Sequence, residues 1–358
     1  MEVYIDFQII NFTRPEGGDN TSSISPTDNA VKLFMWKSIA MEFEHISVMA
    51  QEVHEHLNLK HGHICVDCTL GGAGHAFQSL QAIGQEGLLI GIDQDADAIL
   101  HAEKRLNRFK DNVRLFHNNF ADLPFILNNC GIKGVNAILL DLGFSLNQIK
   151  NSGRGFSFKQ NEPLDMRMDI RNSLTAFEIV NSFPENELAD IFFQYGEERF
   201  SRRIAKKIVQ KRALSQIKTA DRLAQIISDA IPRKRPKYSG HRGKKPIHPA
   251  TKVFQALRIA VNKELDHLEK FMADLPSLLL KDGRLCVISF HSLEDRIVKQ
   301  SLRRYEKGCT CPTGLPVCVC GSVPLMKSVF RKALLPSKTE IEQNPMARSA
   351  RLRVAKRI

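Results

Sequence analysis

The sequence predicts a doubly wound α/β domain with an all-helical domain inserted between its fourth and fifth strands. Three observations carry this expectation. Between residues 63 and 141, four short and almost uniformly apolar runs alternate with segments in helical register. Strands of that composition, joined by helices, form a parallel sheet covered on both faces. The alternation stops near residue 150, helical patterns take over, and one more strand-like run returns at Gly283–Ser289. Finally, the first run passes straight into a Gly-rich turn and a helix, and ligands of such sheets bind at the carboxyl ends of the strands.

Taken in order, residues 1–40 mix turn formers (Pro15, Gly17, Gly18, Asp19, Asn20) with two short apolar pieces and show no periodicity. They read as a loose extension, and Met41 offers an alternative start. Val48, Met49, Val53 and Leu57 then recur at helical spacing. The first strand, His63–Asp67, enters the turn Leu70-Gly-Gly-Ala-Gly-His75, and a helix with Phe77, Leu80 and Ile83 follows. The second strand, Gly87–Ile92, is closed by Asp93. A helix over Ala96–Phe109, a third strand Val113–His117 and a helical piece Ala121–Asn129 lead to the fourth strand, Asn136–Leu140, closed by Asp141.

Residues 151–170 are polar and Gly-rich, hence loop. Helical patterns run from Thr175, where Thr175-x-x-Glu178 has the form of a capping box, to Ile231. Ile231–Pro249 is a loop rich in Pro, Lys, Arg and Gly, and one long helix is expected from Ala250 to Leu280. After the fifth strand come a helix over Leu293–Arg304 and two last strand candidates, Lys327–Ala333 and Ser349–Ala355. The expected domains are thus 1–40, the extension; 41–150 with 249–358, the α/β domain; and 151–248, the helical insertion.

Hydrophobic residues at 43% and charged residues at 25% exclude a disordered or fibrous chain. No run approaches the roughly 18 uninterrupted apolar residues of a membrane span, which excludes membrane spanning. The formal charge of +12 points to a polyanionic partner, because each neutralised phosphate releases counterions. Its distribution sharpens the point: Arg199–Lys245 holds sixteen Lys and Arg against two Asp. Arg203, Lys207 and Lys211 fall on one helix face, widened by Arg199, Arg202 and Lys206, while Ile204 and Ile208 look the other way. Arg233, Lys234, Arg235 and Lys237 add a positive arm. A merely solvated face usually mixes signs, so this one favours phosphate binding. The stretch Lys327–Ile358, with nine basic and two acidic residues, extends the same character.

Cys65, Cys68, Cys130 and Cys286 sit in or beside apolar runs, as small hydrophobes do. With no secretory leader pattern at the start, a reducing, cytoplasmic location fits best. The other four cysteines form Cys309-Thr-Cys311 and Cys318-Val-Cys320. Four thiolates around one structural Zn²⁺ and metal-free loop cysteines are both open; the one-residue spacing is tighter than the usual Cys-x₂-Cys, and no metal ligand is assigned.

Gly71, Gly72 and Gly74 let a ligand approach the backbone at a helix N-terminus. The spacing is neither the dinucleotide Gly-x-Gly-x-x-Gly nor a P-loop, which disfavours a nicotinamide enzyme or a nucleoside triphosphatase. Asp93 is placed to accept both hydroxyls of a ribose, and Asp141 lies where a reacting group would be. Together these point to an adenosyl ligand. For Asp67, Asp93 and Asp141 a helix N-cap is the alternative role.

Several segments of the chain resemble a known family. Asp67-Cys-Thr-Leu-Gly-Gly-Ala-Gly-His75, Leu140-Asp-Leu-Gly143, Arg154-Gly-Phe-Ser-Phe158, Pro163-Leu-Asp-Met-Arg-Met-Asp169, Tyr195-Gly-Glu-Glu-Arg-Phe200, Phe254-Gln-Ala-Leu-Arg-Ile259, Ile288-Ser-Phe-His-Ser-Leu-Glu-Asp-Arg-Ile-Val298 and Asn344-Pro-x-Ala-Arg-Ser-Ala-Arg-Leu-Arg353 look like those of the bacterial 16S ribosomal RNA cytosine-N4 methyltransferases. The resemblance runs in order over 45–358. It implies a Rossmann-like class I methyltransferase fold, S-adenosyl-L-methionine as cofactor, and 16S rRNA in the small ribosomal subunit as partner, methylated on a cytidine amine. A homodimer is left open. Implied cofactor contacts are Ala73, Gly74, His75, Asp93, Phe120, Asp141 and Gln148. The family usually has Gly where Ala73 stands, tolerable for a backbone contact at negative φ, and Ser-Ser-Pro-Gln where this chain reads Ser145-Leu-Asn-Gln148.

Methyl transfer from a sulfonium asks chiefly for alignment. Asp141 is the first candidate to accept a proton of the cytosine amine, and His291 the second, as proton acceptor or phosphate contact. Phe156 and Phe158 are placed either to stack on an unpaired base or to fill a core. RNA contacts are assigned to Arg199, Arg203, Lys207, Lys211, Arg233 and Arg235. Two other readings remain: the same fold acting on DNA or another RNA, and a non-catalytic RNA-binding assembly factor.

Overall fold

The computed structural model describes residues 47–150, 152–232, 248–309, 311 and 320–358. Residues 1–40, Arg233, Arg235 and Cys318, which figure in the sequence expectations, lie outside the described residues. The first elements alternate as the sequence pattern requires: α1 (Ala50–Leu57), β1 (Ile64–Asp67), α2 (Gly74–Ile83), β2 (Leu88–Asp93), α3 (Ala96–Leu106), β3 (Val113–His117), α4 (Leu123–Asn129), β4 (Val135–Asp141) and α5 (Leu146–Lys150).

Helices then follow one another: α6 (Ala176–Ser182), α7 (Glu185–Gln194), α8 (Ser201–Arg212), α9 (Ala220–Ala230), α10 (Thr251–Asn262) and α11 (Glu264–Leu278). The sheet resumes with β5 (Leu279–Ser289), α12 (Ser292–Lys307), β6 (Met326–Ser328), α13 (Lys338–Gln343) and β7 (Arg351–Arg357). The seven strands lie in the order β3-β2-β1-β4-β5-β7-β6. β1 to β5 run parallel, whereas β7 is antiparallel to both β5 and β6. This is a doubly wound, Rossmann-like α/β fold.

Alternate strand residues feed opposite faces. Val66, Ile90, Ile138 and Leu140 pack with Phe271 and Leu275 of α11 and Val298 and Leu302 of α12. Cys65, Leu89, Ala137 and Leu139 pack with Leu57 of α1, Leu80 of α2 and Leu106 of α3. A third apolar cluster belongs to the helices after β4, and includes Phe192 of α7, Ile204 and Ile208 of α8, and Leu257 of α10. Its buried side chains run on to Val261. The helix at Thr175 opens with both halves of a capping box: Thr175 N donates to Glu178 Oε2 at 2.8 Å and Glu178 N to Thr175 Oγ1 at 3.2 Å. Among the described residues, no helix is long and apolar enough to cross a membrane.

The single helix expected over Ala250–Leu280 is two. Lys263 breaks it with φ 48, ψ 38, in the left-handed region. The apolar pattern continues across the break, so periodicity does not reveal it. Its reason is a buried polar side chain. Asn262, only 2% exposed, accepts from Met168 N at 2.7 Å and donates to Met166 O and Arg258 O, both at 2.8 Å. The end of α10 thereby holds the loop that follows β4. The last two strands are shifted from the expected runs, to Met326–Ser328 and Arg351–Arg357.

Replacing Asn262 with Ala strands the Met168 N–H and the Met166 carbonyl, which is expected to cost about 2–4 kcal/mol. The measurement is the urea midpoint of unfolding; a midpoint equal to that of the parent chain would show that the loop does not depend on this side chain.

Candidate active site

The carboxyl ends of β1, β2 and β4 open into a cavity of ≈ 390 Å³, within the range of small-ligand sites. Gly74, His75, Asp93, Phe120, Asp141, Gln148 and His291 all line it. Ala73 is instead fully buried behind the turn. It adopts φ 54, ψ 26, the left-handed conformation, and is the N-cap of α2 without a side-chain cap. The condition of a negative φ is therefore not met. An L residue here costs roughly 1–2 kcal/mol, and burying the methyl among Leu70, Ala76 and Leu80 offsets part of it. At Gly74 a Cβ would lie 2.1 Å from Ser47 Oγ, so a larger residue there has to displace the Ser47 side chain. A Cβ at Gly71 would meet nothing within 4 Å, so the cradle is open on that side.

None of the three strand-end carboxylates caps a helix. Asp93 ties the turn to the strand end: Oδ2 accepts from Gly71 N and Oδ1 from Asp95 N, both at 2.9 Å. Burial pushes its pKa up to about 6. Asp67 Oδ1 accepts from Thr69 N at 3.1 Å, while Oδ2 is buried without a hydrogen-bond partner among the described residues. Burial first, and then the charge of Asp93, raises Asp67 to about 7. Asp141 is held by its backbone, whose N–H donates to Thr69 Oγ1 at 2.7 Å. Its Oδ2 lies 3.8 Å from His75 Nε2, and its Oδ1 is buried with no hydrogen-bond partner among the described residues. Burial, with Asp67 and Glu294 adding negative charge, holds Asp141 well above the usual carboxylate range.

Gln148 lines the cavity yet spends its amide on structure. Oε1 accepts from Ser145 N at 2.9 Å, and Nε2 donates to Asp95 Oδ2 at 2.8 Å. Asp95 N-caps α3 and also receives Arg154 Nη2 at 2.6 Å. Arg154 Nη1 reaches Arg167 O and Met168 O, each at 3.0 Å. Phe120 stands edge-on to Phe271 with ring centroids 5.8 Å apart. His291 is the N-cap of α12: Nδ1 accepts from Glu294 N at 3.4 Å, and Nε2 is 3.0 Å from Glu294 Oε1. Nδ1 is thus taken up by the cap, while Nε2 is buried without a hydrogen-bond partner among the described residues.

Phe156 and Phe158 are partly buried against the helical cluster. Phe158 is taken up by His248, stacked at 4.5 Å, and Phe254, edge-on at 5.2 Å. Phe156 stacks on Phe144 at 6.3 Å with planes 17° apart, and Arg258 lies 4.5 Å over the Phe144 ring. Phe144 and Arg258 both line the cavity; the sequence gives no role to either, although Arg258 stands in the Phe254–Ile259 segment. The signal for Phe144 was its place three residues after the strand-end Asp141.

The basic stripe lies on α8, away from the cavity wall. Arg199 and Arg203 are exposed, Lys207 and Lys211 half-exposed, and Ile204 and Ile208 fully buried. Arg199 also covers the Phe200 ring at 4.6 Å. Arg212 is committed to Val180 O and Phe183 O, at 2.8 and 2.6 Å.

Residues 42–358 match the MraW methylase family. The chain is 56% identical over 318 residues to a protein of Desulforapulum autotrophicum named "Ribosomal RNA small subunit methyltransferase H", covering 89% of this chain and 100% of that one. Proteins of the same name from Desulfosudis oleivorans and Clostridium botulinum are 49% and 48% identical, with the same coverage.

An acid whose folded pKa is raised destabilises the fold once the unfolded chain ionises. For Asp67 the penalty is absent below about pH 4, grows as pH rises to about 7, and is constant above. Asp67→Asn keeps the acceptor for Thr69 N and removes the charge. It should leave stability nearly unchanged at pH 4 and raise it by on the order of 1–3 kcal/mol at pH 8. Thermal melts across that range check it; an equal effect at both ends would contradict a buried, ionisable Asp67.

Proposed function

Since the chain belongs to the MraW methylase family, we propose that it transfers the methyl group of S-adenosyl-L-methionine to the exocyclic N4 amine of a cytidine in the 16S RNA of the small ribosomal subunit. The observation that carries this is Asp141. Its Oδ1 is a buried acceptor with no hydrogen-bond partner among the described residues, in one cavity with an open Gly turn and a strand-end Asp93.

The donor set fits the cofactor. Asp93 retains lone pairs for the ribose hydroxyls after accepting Gly71 N and Asp95 N. Phe120 offers an apolar face for the adenine, and Gly71 and Gly74 leave the backbone accessible. When bound, S-adenosylmethionine supplies an electrophilic methyl carbon on a leaving group that needs no protonation.

The remaining work belongs to the protein. Asp141 Oδ1 accepts one N–H of the cytosine amine, draws its lone pair out of conjugation, and takes the proton as the new C–N bond forms. The raised pKa of Asp141 makes it a stronger base than an exposed carboxylate. Phe144, stacked on Phe156 under Arg258, is the platform for the cytosine ring. His291 fixes the turn after β5 as the cap of α12, and its buried Nε2, in the cavity wall, is the second candidate acceptor. The helical insertion, 151–248, is the RNA-recognition domain, and Arg199, Arg203, Lys207 and Lys211 contact phosphate. Arg233 and Arg235 are assigned the same role on the sequence. The setting is the cytoplasm.

Purified protein incubated with unmethylated small subunits and methyl-labelled S-adenosylmethionine should yield labelled N4-methylcytidine on digestion and mass spectrometry. Asp141→Asn should lower kcat by roughly 10²–10⁴-fold, a larger loss than any weakening of cofactor binding measured beside it. In the parent chain, kcat should rise with pH as Asp141 ionises. Label only in naked RNA or DNA would overturn the substrate assignment, and cofactor binding without any label would favour an assembly factor.

Charge reversal of Arg203, Lys207 and Lys211 to Glu should raise KM for the subunit at least tenfold, flatten the salt dependence and leave KM for S-adenosylmethionine unchanged. An unaltered salt slope would remove the stripe from the RNA interface.

A further inference from the structure

The two Cys-x-Cys elements stand apart from the cavity, in the connection between α12 and β6. Cys309, Cys311 and Cys320 are described, and they converge: their sulfurs all lie within 4.8 Å of one another. Cys320 Sγ is 3.8 Å from Cys309 Sγ. A disulfide would bring that pair to about 2.05 Å, so the two are not covalently joined. A tetrahedral Zn²⁺ with Zn–S bonds of about 2.3 Å sets its thiolates about 3.8 Å apart, the separation observed.

The backbone is shaped to hold this convergence. Gly308, at φ 66, ends α12 with its N–H on Arg304 O at 3.1 Å, and Cys309 N donates to Lys307 O at 2.7 Å. The returning arm crosses so closely that a Cβ on Gly308 would lie 2.5 Å from both Pro324 N and Val323 C. Gly321, at φ 61, turns the chain directly after Cys320, and Leu325 N then joins Tyr305 O at 2.9 Å. These three cysteines are half-buried, unlike Cys65, Cys68 and Cys286, which are sealed in the core of the sheet. A site at a turned, partly solvated loop lets thiols give up their protons to water and a cation enter.

We propose that Cys309, Cys311 and Cys320 bind one Zn²⁺ as thiolates, at a structural site that ties the end of α12 to the arm leading into β6. Each ligand thiol releases one proton to solvent on binding, and nothing is oxidised or reduced. Thiolate donors in tetrahedral array select Zn²⁺ over the hard cations. The fourth ligand is one further donor; Cys318 lies outside the described residues and is given no place. This site is independent of the methyl-transfer reading.

The full-length chain, purified in reducing buffer without chelator, should carry about one zinc by elemental analysis. Cys309→Ser and Cys320→Ser should each weaken zinc binding at least a hundredfold, while Cys130→Ser, elsewhere in the fold, should not. Metal-stripped parent protein titrated with Co²⁺ should develop thiolate charge-transfer bands and intense tetrahedral d–d bands, a readout that does not depend on any variant folding. X-ray absorption of the zinc form should show three or four sulfur ligands at about 2.3 Å. Zinc-free protein whose reduced apo form gives no cobalt bands would overturn the proposal. So would a first shell of nitrogen and oxygen alone, full zinc retention by the Cys309→Ser/Cys320→Ser double variant, or a Cys309–Cys320 disulfide in protein taken directly from reducing cells.

Discussion

The Asp95 carboxylate joins the sheet to the loop that leads into the helices after β4. It caps α3, accepts the Gln148 amide from α5 and pairs with Arg154 from the loop that enters the helical insertion. Asp95 is 4% exposed, and a buried charge is tolerable only when its lone pairs are occupied. Strand end, helix α5 and the loop after it are therefore held through one carboxylate. Arg154 extends the link by gripping Arg167 O and Met168 O, and Asn262 holds Met168 N from the far side. The loop between β4 and α6 is thus fixed at both ends by buried hydrogen bonds, although it contains no helix between Ser152 and Thr175.

That frame surrounds a cavity whose inner end is lined by carboxylates. Asp67, Asp93 and Asp141 end neighbouring strands, and burial raises all three. Ordinary folding would remove such a concentration of negative charge or supply it with bases. Arg154 and Arg258 are committed elsewhere, to Asp95 and Glu264. The arrangement is unfavourable for the empty fold and suited to a cationic ligand, which is the trade expected of a site rather than a core.

Much of this was legible in the sequence where side-chain pattern and function coincide. Strands β1 to β4 announce themselves as apolar runs closed by Asp67, Asp93 or a His, and the Gly turn names the ligand edge. The basic stripe follows from spacing alone, with Ile204 and Ile208 buried beneath it as expected. What failed to show was backbone conformation without a compositional mark. Lys263 breaks a helix inside an unbroken apolar period, and Ala73 takes a left-handed conformation normally left to Gly. β5 reaches back to Leu279 because pairing with Val135 tolerates the polar, exposed Lys281 and Asp282 that interrupt its run. Phe144 and Arg258 were missed because their partnership joins segments far apart in the chain.

The insertion separates two strands that are neighbours in the sheet. Val135 and Leu279, about 140 residues apart in the chain, are paired, so joining β4 to β5 closes a very long loop. Helices α6 to α10 share a core of their own, and contacts within that segment span far less chain than the β4–β5 pairing. Once they condense, the ends of the insertion are drawn together and the long closure becomes a short one. On topology alone, the helical segment is expected to condense before β4 and β5 pair.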